Sequence, residues 1–158
     1  MSSGYETVEY RGWLSAKIPK IPGSPEAAIA IAEASIRTMN KQYKEWIHGV
    51  LKILSGHIQQ YAKAPSDGTN LDSIRRIAHE LRGTTGSFGR MRTSDVSQSL
   101  YDQAVRGPSG LGAAKFSAAI KLHHHTLVKL ADLDGPDPDP KLDEIVKGLD
   151  AIKNIRKS

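Results

Sequence analysis

The stretch Leu71-Asp-Ser-Ile74-Arg75-Arg-Ile77-Ala78-His79-Glu-Leu81-Arg82-Gly83-Thr84-Thr85-Gly86-Ser-Phe88-Gly89 decides what this 158-residue chain builds. Its apolar residues, Leu71, Ile74, Ile77, Ala78, Leu81 and Phe88, fall three or four apart, as one buried face of an α-helix requires. Strand-like alternation is absent. The loop before it, Ala64-Pro-Ser-Asp-Gly-Thr-Asn70, breaks the preceding element and offers Asn70 as an N-cap.

The same period extends in both directions. Upstream, Ile29, Ile36, Met39, Tyr43, Ile47, Val50, Leu54, Ile58 and Tyr61 form one stripe. They predict either a single helix of nearly forty residues or two helices broken near Asn40 or Gly49. Ser24 is the expected cap of this segment and Pro25 its first residue. Residues 1–24 read as a tail: Ile18-Pro-Lys-Ile-Pro-Gly-Ser-Pro25 disfavours helix, while Tyr5, Tyr10, Trp13 and Leu14 are apolar enough for part of it to pack on the domain. Downstream, Thr93 or Ser94 is expected to cap a helix that turns Val96, Leu100, Ala104 and Val105 inward. After Gly107-Pro-Ser-Gly110, a helix from about Leu111 to Leu133 carries Phe116, Ile120, Leu127 and Leu130. Gly135-Pro-Asp-Pro-Asp-Pro140 is a stiff spacer, and Leu142, Ile145, Leu149 and Ile152 line a last helix. The expectation is an all-α chain, an up-and-down antiparallel helical bundle. It divides into a tail (1–24), a bundle domain (25–134), a spacer (135–140) and a C-terminal helix (141–158).

Composition narrows the function. Twenty-two Lys and Arg against seventeen Asp and Glu leave a net charge of +5, and cysteine is absent. Thiolate chemistry and disulfides are therefore excluded. The basic residues are scattered, which argues against a nucleic-acid footprint and leaves that reading resting on mild charge alone. No apolar run reaches the ~20 residues that cross a bilayer, and the first residues lack a secretory pattern. A cytoplasmic protein is expected, with no nucleic-acid or membrane partner.

The chemistry gathers on the third helix. At about 100° per residue, Gly83 and Gly86 lie about +40° and −20° from His79, and Arg75 and Arg82 about −40° and −60°. A glycine inside a helix costs roughly 1 kcal/mol relative to alanine. Two of them beside a histidine have two explanations. One is a helix ending there, with Gly83 or Gly86 as its cap. The other is a face stripped of bulk so that another protein's active site can reach a nucleophilic imidazole, with arginines to neutralise a phosphoryl group.

Ile77-Ala78-His79-Glu-Leu81-Arg82-Gly83-Thr84-Thr85-Gly86-Ser-Phe88-Gly89 resembles the phosphorylation motif of histidine-phosphotransfer (HPt) domains, Ala-His-x-Leu-Lys-Gly, two small residues, then an apolar residue and glycine. The resemblance implies a four-helix bundle without kinase activity that exchanges phosphate with receiver-domain aspartates of hybrid sensor kinases and response regulators in a two-component phosphorelay. It implies His79 as phospho-acceptor through Nε2, Arg82 in place of the family's lysine as phosphate stabiliser, and Gly83 as clearance for receiver docking. Arg75 and Gly86 are expected to support the site. Many members orient the imidazole with a glutamine on the next helix; ungapped counting puts Tyr101 there, with Gln98 one turn earlier, so either residue is a candidate.

The chain has no Walker-type loop or kinase signature, so phosphate must come from a partner. No cofactor of its own is expected, and the magnesium that phosphoryl transfer needs belongs on the receiver. The protein is a phosphocarrier, not an autonomous enzyme. His123-His124-His125 is a poor metal site, because consecutive helical residues diverge by about 100°; His123 reads as a core-edge residue, and His48 and His57 as structural. A monomer is expected, with the long first helix or the C-terminal helix available for a dimer. The competing reading is an unphosphorylated helical adaptor that binds receivers or other signalling proteins.

Overall fold

A computed structural model describes residues 23–154. The apolar residues of the tail, Tyr5, Tyr10, Trp13 and Leu14, lie outside the described residues. Five helices and no strand occupy the described part: α1 (Pro25–Lys63), α2 (Gly68–Ser87), α3 (Met91–Arg106), α4 (Ala113–Leu133) and α5 (Pro140–Asn154).

Helix α1 is unbroken over 39 residues; neither Asn40 nor Gly49 interrupts it. Ser24 caps it, its hydroxyl accepting from Ala27 N at 3.4 Å. The chain divides after Lys41 into two compact units. In the first, Ile29, Ile36 and Met39 are more than half exposed, whereas the sequence stripe predicted them buried. Helices α2, α3 and α4 have 20, 16 and 21 residues, roughly half the length of α1.

Burial on α1 begins at Tyr43. Tyr43, Ile47, Leu51, Leu54, Ile58 and Tyr61 join residues of α2 to α5 in one apolar core. Named contacts give the helix directions. His57 bonds Asn70 and Tyr43 packs on Phe88, so residues 43–61 of α1 run antiparallel to α2. The Ser94 hydroxyl donates to Arg82 O, and Arg75 Nε donates to Ala104 O, so α2 and α3 are antiparallel. His48 with Asp132, His124 with Leu51 O, and Tyr61 edge-on to Phe116 make α1 and α4 antiparallel as well.

The caps differ from expectation at two places. Asp67, not Asn70, caps α2 by accepting from Thr69 N at 3.0 Å; Asn70 lies inside the helix and bonds His57 instead. Helix α3 starts at Met91 with Arg90 at its cap position and no local side chain to satisfy its first amides. The cap comes from Asp134, after α4, whose carboxylate accepts from Thr93 N at 2.9 Å and Thr93 Oγ1 at 2.8 Å. Neither Thr93 nor Ser94 caps the helix; the Ser94 hydroxyl is spent on Arg82 O.

Asp134 also pairs with Arg92, which bonds Asp143 on α5 at 2.6 Å and the carbonyl of Asp137 at 3.2 Å. The proline spacer is thereby pinned. Asp139 caps α5, which packs on α3 and α4 and buries Leu142 and Leu149. Ile145 and Val105, predicted inward, are 39% and 51% exposed. Ile145 lies toward one side of its helix's apolar arc, and Val105 falls about 180° from Val96 on the helical wheel, on the face away from the core. Among the described residues no helix is long and apolar enough to cross a membrane.

Candidate functional site

Helix α2 turns Leu71, Ile74, Ile77, Ala78 and Leu81 into the core, which leaves His79, Glu80, Arg82 and Gly83 exposed on its other side. The helix continues through both glycines to Ser87. The cap reading of Gly83 and Gly86 is thereby overturned. The chain leaves the helix at Phe88 and Gly89, and Gly89 has the positive φ, +71°, that favours glycine.

The two glycines have different surroundings. A Cβ on Gly86 would sit 3.4 Å from Ser94 Oγ, in ordinary van der Waals contact with the α3 residue whose hydroxyl reaches Arg82 O. A Cβ on Gly83 would meet nothing within 4 Å. Gly86 thus lies against α3, whereas Gly83 faces open space. Gly49, Gly56 and Gly148 are similarly open, so openness matters at Gly83 because His79 stands one turn before it.

The histidines separate into tied and free. His48 bonds Asp132, His57 bonds Asn70, and His124 bonds Leu51 O. His123 is 1% exposed and bridges Ser99 Oγ and Ala119 O at 2.9 and 2.7 Å; it belongs to the core interior, deeper than the core edge expected for it. His79 and His125 have no hydrogen-bond partner among the described residues, and of these only His79 stands one turn before a helix-interior glycine with open space at its Cβ, with arginines three positions to either side. No group of three or more His, Asp or Glu residues capable of holding a metal occurs among the described residues.

Tyr101 on α3 stands beside the imidazole, with ring centroids 5.7 Å apart and an interplanar angle of 48°. The contact is ring to ring, not a hydroxyl hydrogen bond. Gln98 donates through Nε2 to Asp102 at 2.7 Å, and its Oε1 is buried without a partner. Of the two residues named from the sequence for orienting the ring, Tyr101 makes a ring contact with it and Gln98 makes no hydrogen bond to it.

Arg75 does not serve the exposed face. Its Nε donates to Ala104 O at 3.0 Å and its Nη1 to Asp72 at 2.7 Å. Ala104 lies in the last turn of α3, where carbonyls lack helical partners and a cation is favoured, so Arg75 closes that helix end. Arg76, which the sequence reading passed over, is exposed and unpaired among the described residues. The same wheel places it about +60° from His79, opposite Arg82, and that angle was the available signal. One turn further, Thr84 and Phe88 join Gln42, Tyr43 and Trp46 in lining an open apolar hollow. Phe88, predicted inward, is 39% exposed at its rim.

Compared with known proteins, the chain matches no protein-family profile, no curated protein and no solved structure.

Proposed function

We propose that the protein is a histidine-phosphotransfer protein that accepts a phosphoryl group on His79 from a receiver-domain aspartate and passes it to another. The observation that carries this reading is the exposed His79, without a hydrogen-bond partner among the described residues, one helical turn before Gly83, a helix-interior glycine with open space where its side chain would be. The antiparallel helix pairs around one core support the four-helix bundle that the motif resemblance implies, formed by residues 42–63 and α2, α3 and α4.

In the reaction, neutral imidazole attacks the phosphorus of the receiver's acyl phosphate through Nε2. Arg82 and Arg76, one turn either side, supply charge-assisted hydrogen bonds to the phosphoryl oxygens. Bare Gly83 admits the receiver's active site, and the receiver brings its own magnesium. The chain works as a phosphocarrier, its phosphate supplied by the partner.

The test is to incubate the protein with a phosphorylated receiver and follow acid-labile, alkali-stable label. Wild type is expected to take up label and His79→Gln none. Label on the glutamine variant, or none on wild type with any receiver, overturns the assignment. Receiver binding without labelling would identify an adaptor.

A further inference from the structure

We propose that the Tyr101 ring is an aromatic platform that stabilises the cationic ring of phosphorylated His79; the proposal rests on the phosphotransfer reading above. In that reaction the Nε2 lone pair forms the N–P bond while the P–O bond to the receiver carboxylate breaks, its electron pair leaving with the carboxylate. The hydrogen on Nδ1 stays where it is. The imidazole therefore becomes a phospho-imidazolium, with positive charge spread over the ring. On transfer to the next receiver, a carboxylate oxygen attacks phosphorus and the N–P pair returns to the ring, discharging it. Any group that favours the charged ring over the neutral one deepens the phosphorylated state.

The surroundings supply little else of that sign. On α2, Arg76 and Arg82 favour the phosphoryl oxygens but oppose a charge on the ring itself. Arg75 is held by Ala104 O and Asp72. Glu80, the neighbouring residue, is exposed to solvent. On α3, Asp102 is engaged with Gln98 Nε2. No carboxylate bonds the imidazole among the described residues. The Tyr101 centroid, 5.7 Å from that of the imidazole, lies within the ~6 Å at which a cation is attracted by an aromatic ring. Tyr101 is partly buried and packed against the core, so the platform is in place before phosphorylation. The contact needs the ring and not the hydroxyl, which separates it from a hydrogen-bonding role.

The experiment uses the full chain with Tyr101→Phe, Tyr101→Leu and Tyr101→Met. In the unphosphorylated protein, the NMR shifts of the His79 ring protons read the aromatic neighbour directly: phenylalanine is expected to keep the ring-current shift, and leucine and methionine to lose it. After labelling from a phosphorylated receiver, the phosphohistidine level at equilibrium is expected to stay at the wild-type value with phenylalanine. It is expected to fall roughly two- to five-fold with leucine or methionine, the effect of a cation–π contact at an exposed site. Thermal melting identifies a leucine variant that fails to fold, in which case the methionine variant decides. Unchanged levels in leucine and methionine overturn the proposal while leaving phosphotransfer standing. A phenylalanine variant as poor as leucine overturns it in favour of the hydroxyl. Wild type that takes no label overturns both readings together.

Discussion

Gly83 and Gly86, three positions apart on one helix, stand in different surroundings. A Cβ at Gly86 would rest against Ser94 in ordinary contact, whereas one at Gly83 would meet nothing in the described chain. Gly83→Ala is therefore expected to stabilise the protein by roughly 1 kcal/mol, the helix propensity difference, because the added methyl enters open space. If the space is reserved for a receiver, the same substitution slows phosphate uptake from it. A urea midpoint that rises while the labelling rate falls is the expected pair of results; a rise with an unchanged rate would remove the clearance role. The exposed placement of His79, Arg82 and Gly83 was legible because a helical wheel gives each residue's azimuth. It misplaced Arg75 because azimuth does not say which helix end lies alongside. The carbonyl of Ala104, at the close of α3, claims that guanidinium and leaves Arg76 for the exposed face.

At the scale of elements, the helices were readable and their ends less so. The periods of α2 to α5 came through because each buries an apolar arc. The cap of α3 was unreadable because it is supplied from more than forty residues downstream, where Asp134 accepts from Thr93 N and Oγ1. A local search finds Thr93 and Ser94, which are good capping residues already engaged elsewhere. The Asp134 side chain is fully buried and paired with Arg92. Asp134→Ala leaves the first turn of α3 unsatisfied and the guanidinium without one of its two carboxylates. It is expected to cost roughly 3 kcal/mol, the scale of breaking a buried pair by removing one partner. Asp134→Asn keeps an acceptor for the Thr93 amide and is expected to cost less. Urea denaturation orders the three proteins; equal stability of alanine and wild type would show that the long-range cap contributes nothing.

For the whole molecule, the buried face of α1 starts at Tyr43 and not at Ile29. The long stripe hid this because a helix keeps its period whether or not its apolar residues are buried. Tyr43 is 2% exposed, packs against Trp46 and Phe88, and carries the Arg90 guanidinium 5.2 Å over its ring. Burial pushes its hydroxyl above the ordinary tyrosine range, with the Arg90 charge opposing in part; burial raises Tyr61 as well. A raised folded-state value means that the unfolded chain loses these protons first. The stability they contribute is present below about pH 10, the unfolded value, and is lost as pH climbs through the folded values. Tyr43→Phe removes one of the two groups together with a buried hydroxyl whose nearest polar neighbour is the Thr93 side chain and which has no hydrogen bond of good geometry. Near pH 7 the variant is expected to match wild type within about 1 kcal/mol. Above about pH 10 its urea midpoint should fall less steeply than that of wild type, with the remaining slope belonging in part to Tyr61. Parallel declines in the two proteins would mean that Tyr43 ionises as freely in the folded chain as in the unfolded one, which a ring enclosed by Trp46, Phe88 and Arg90 does not allow.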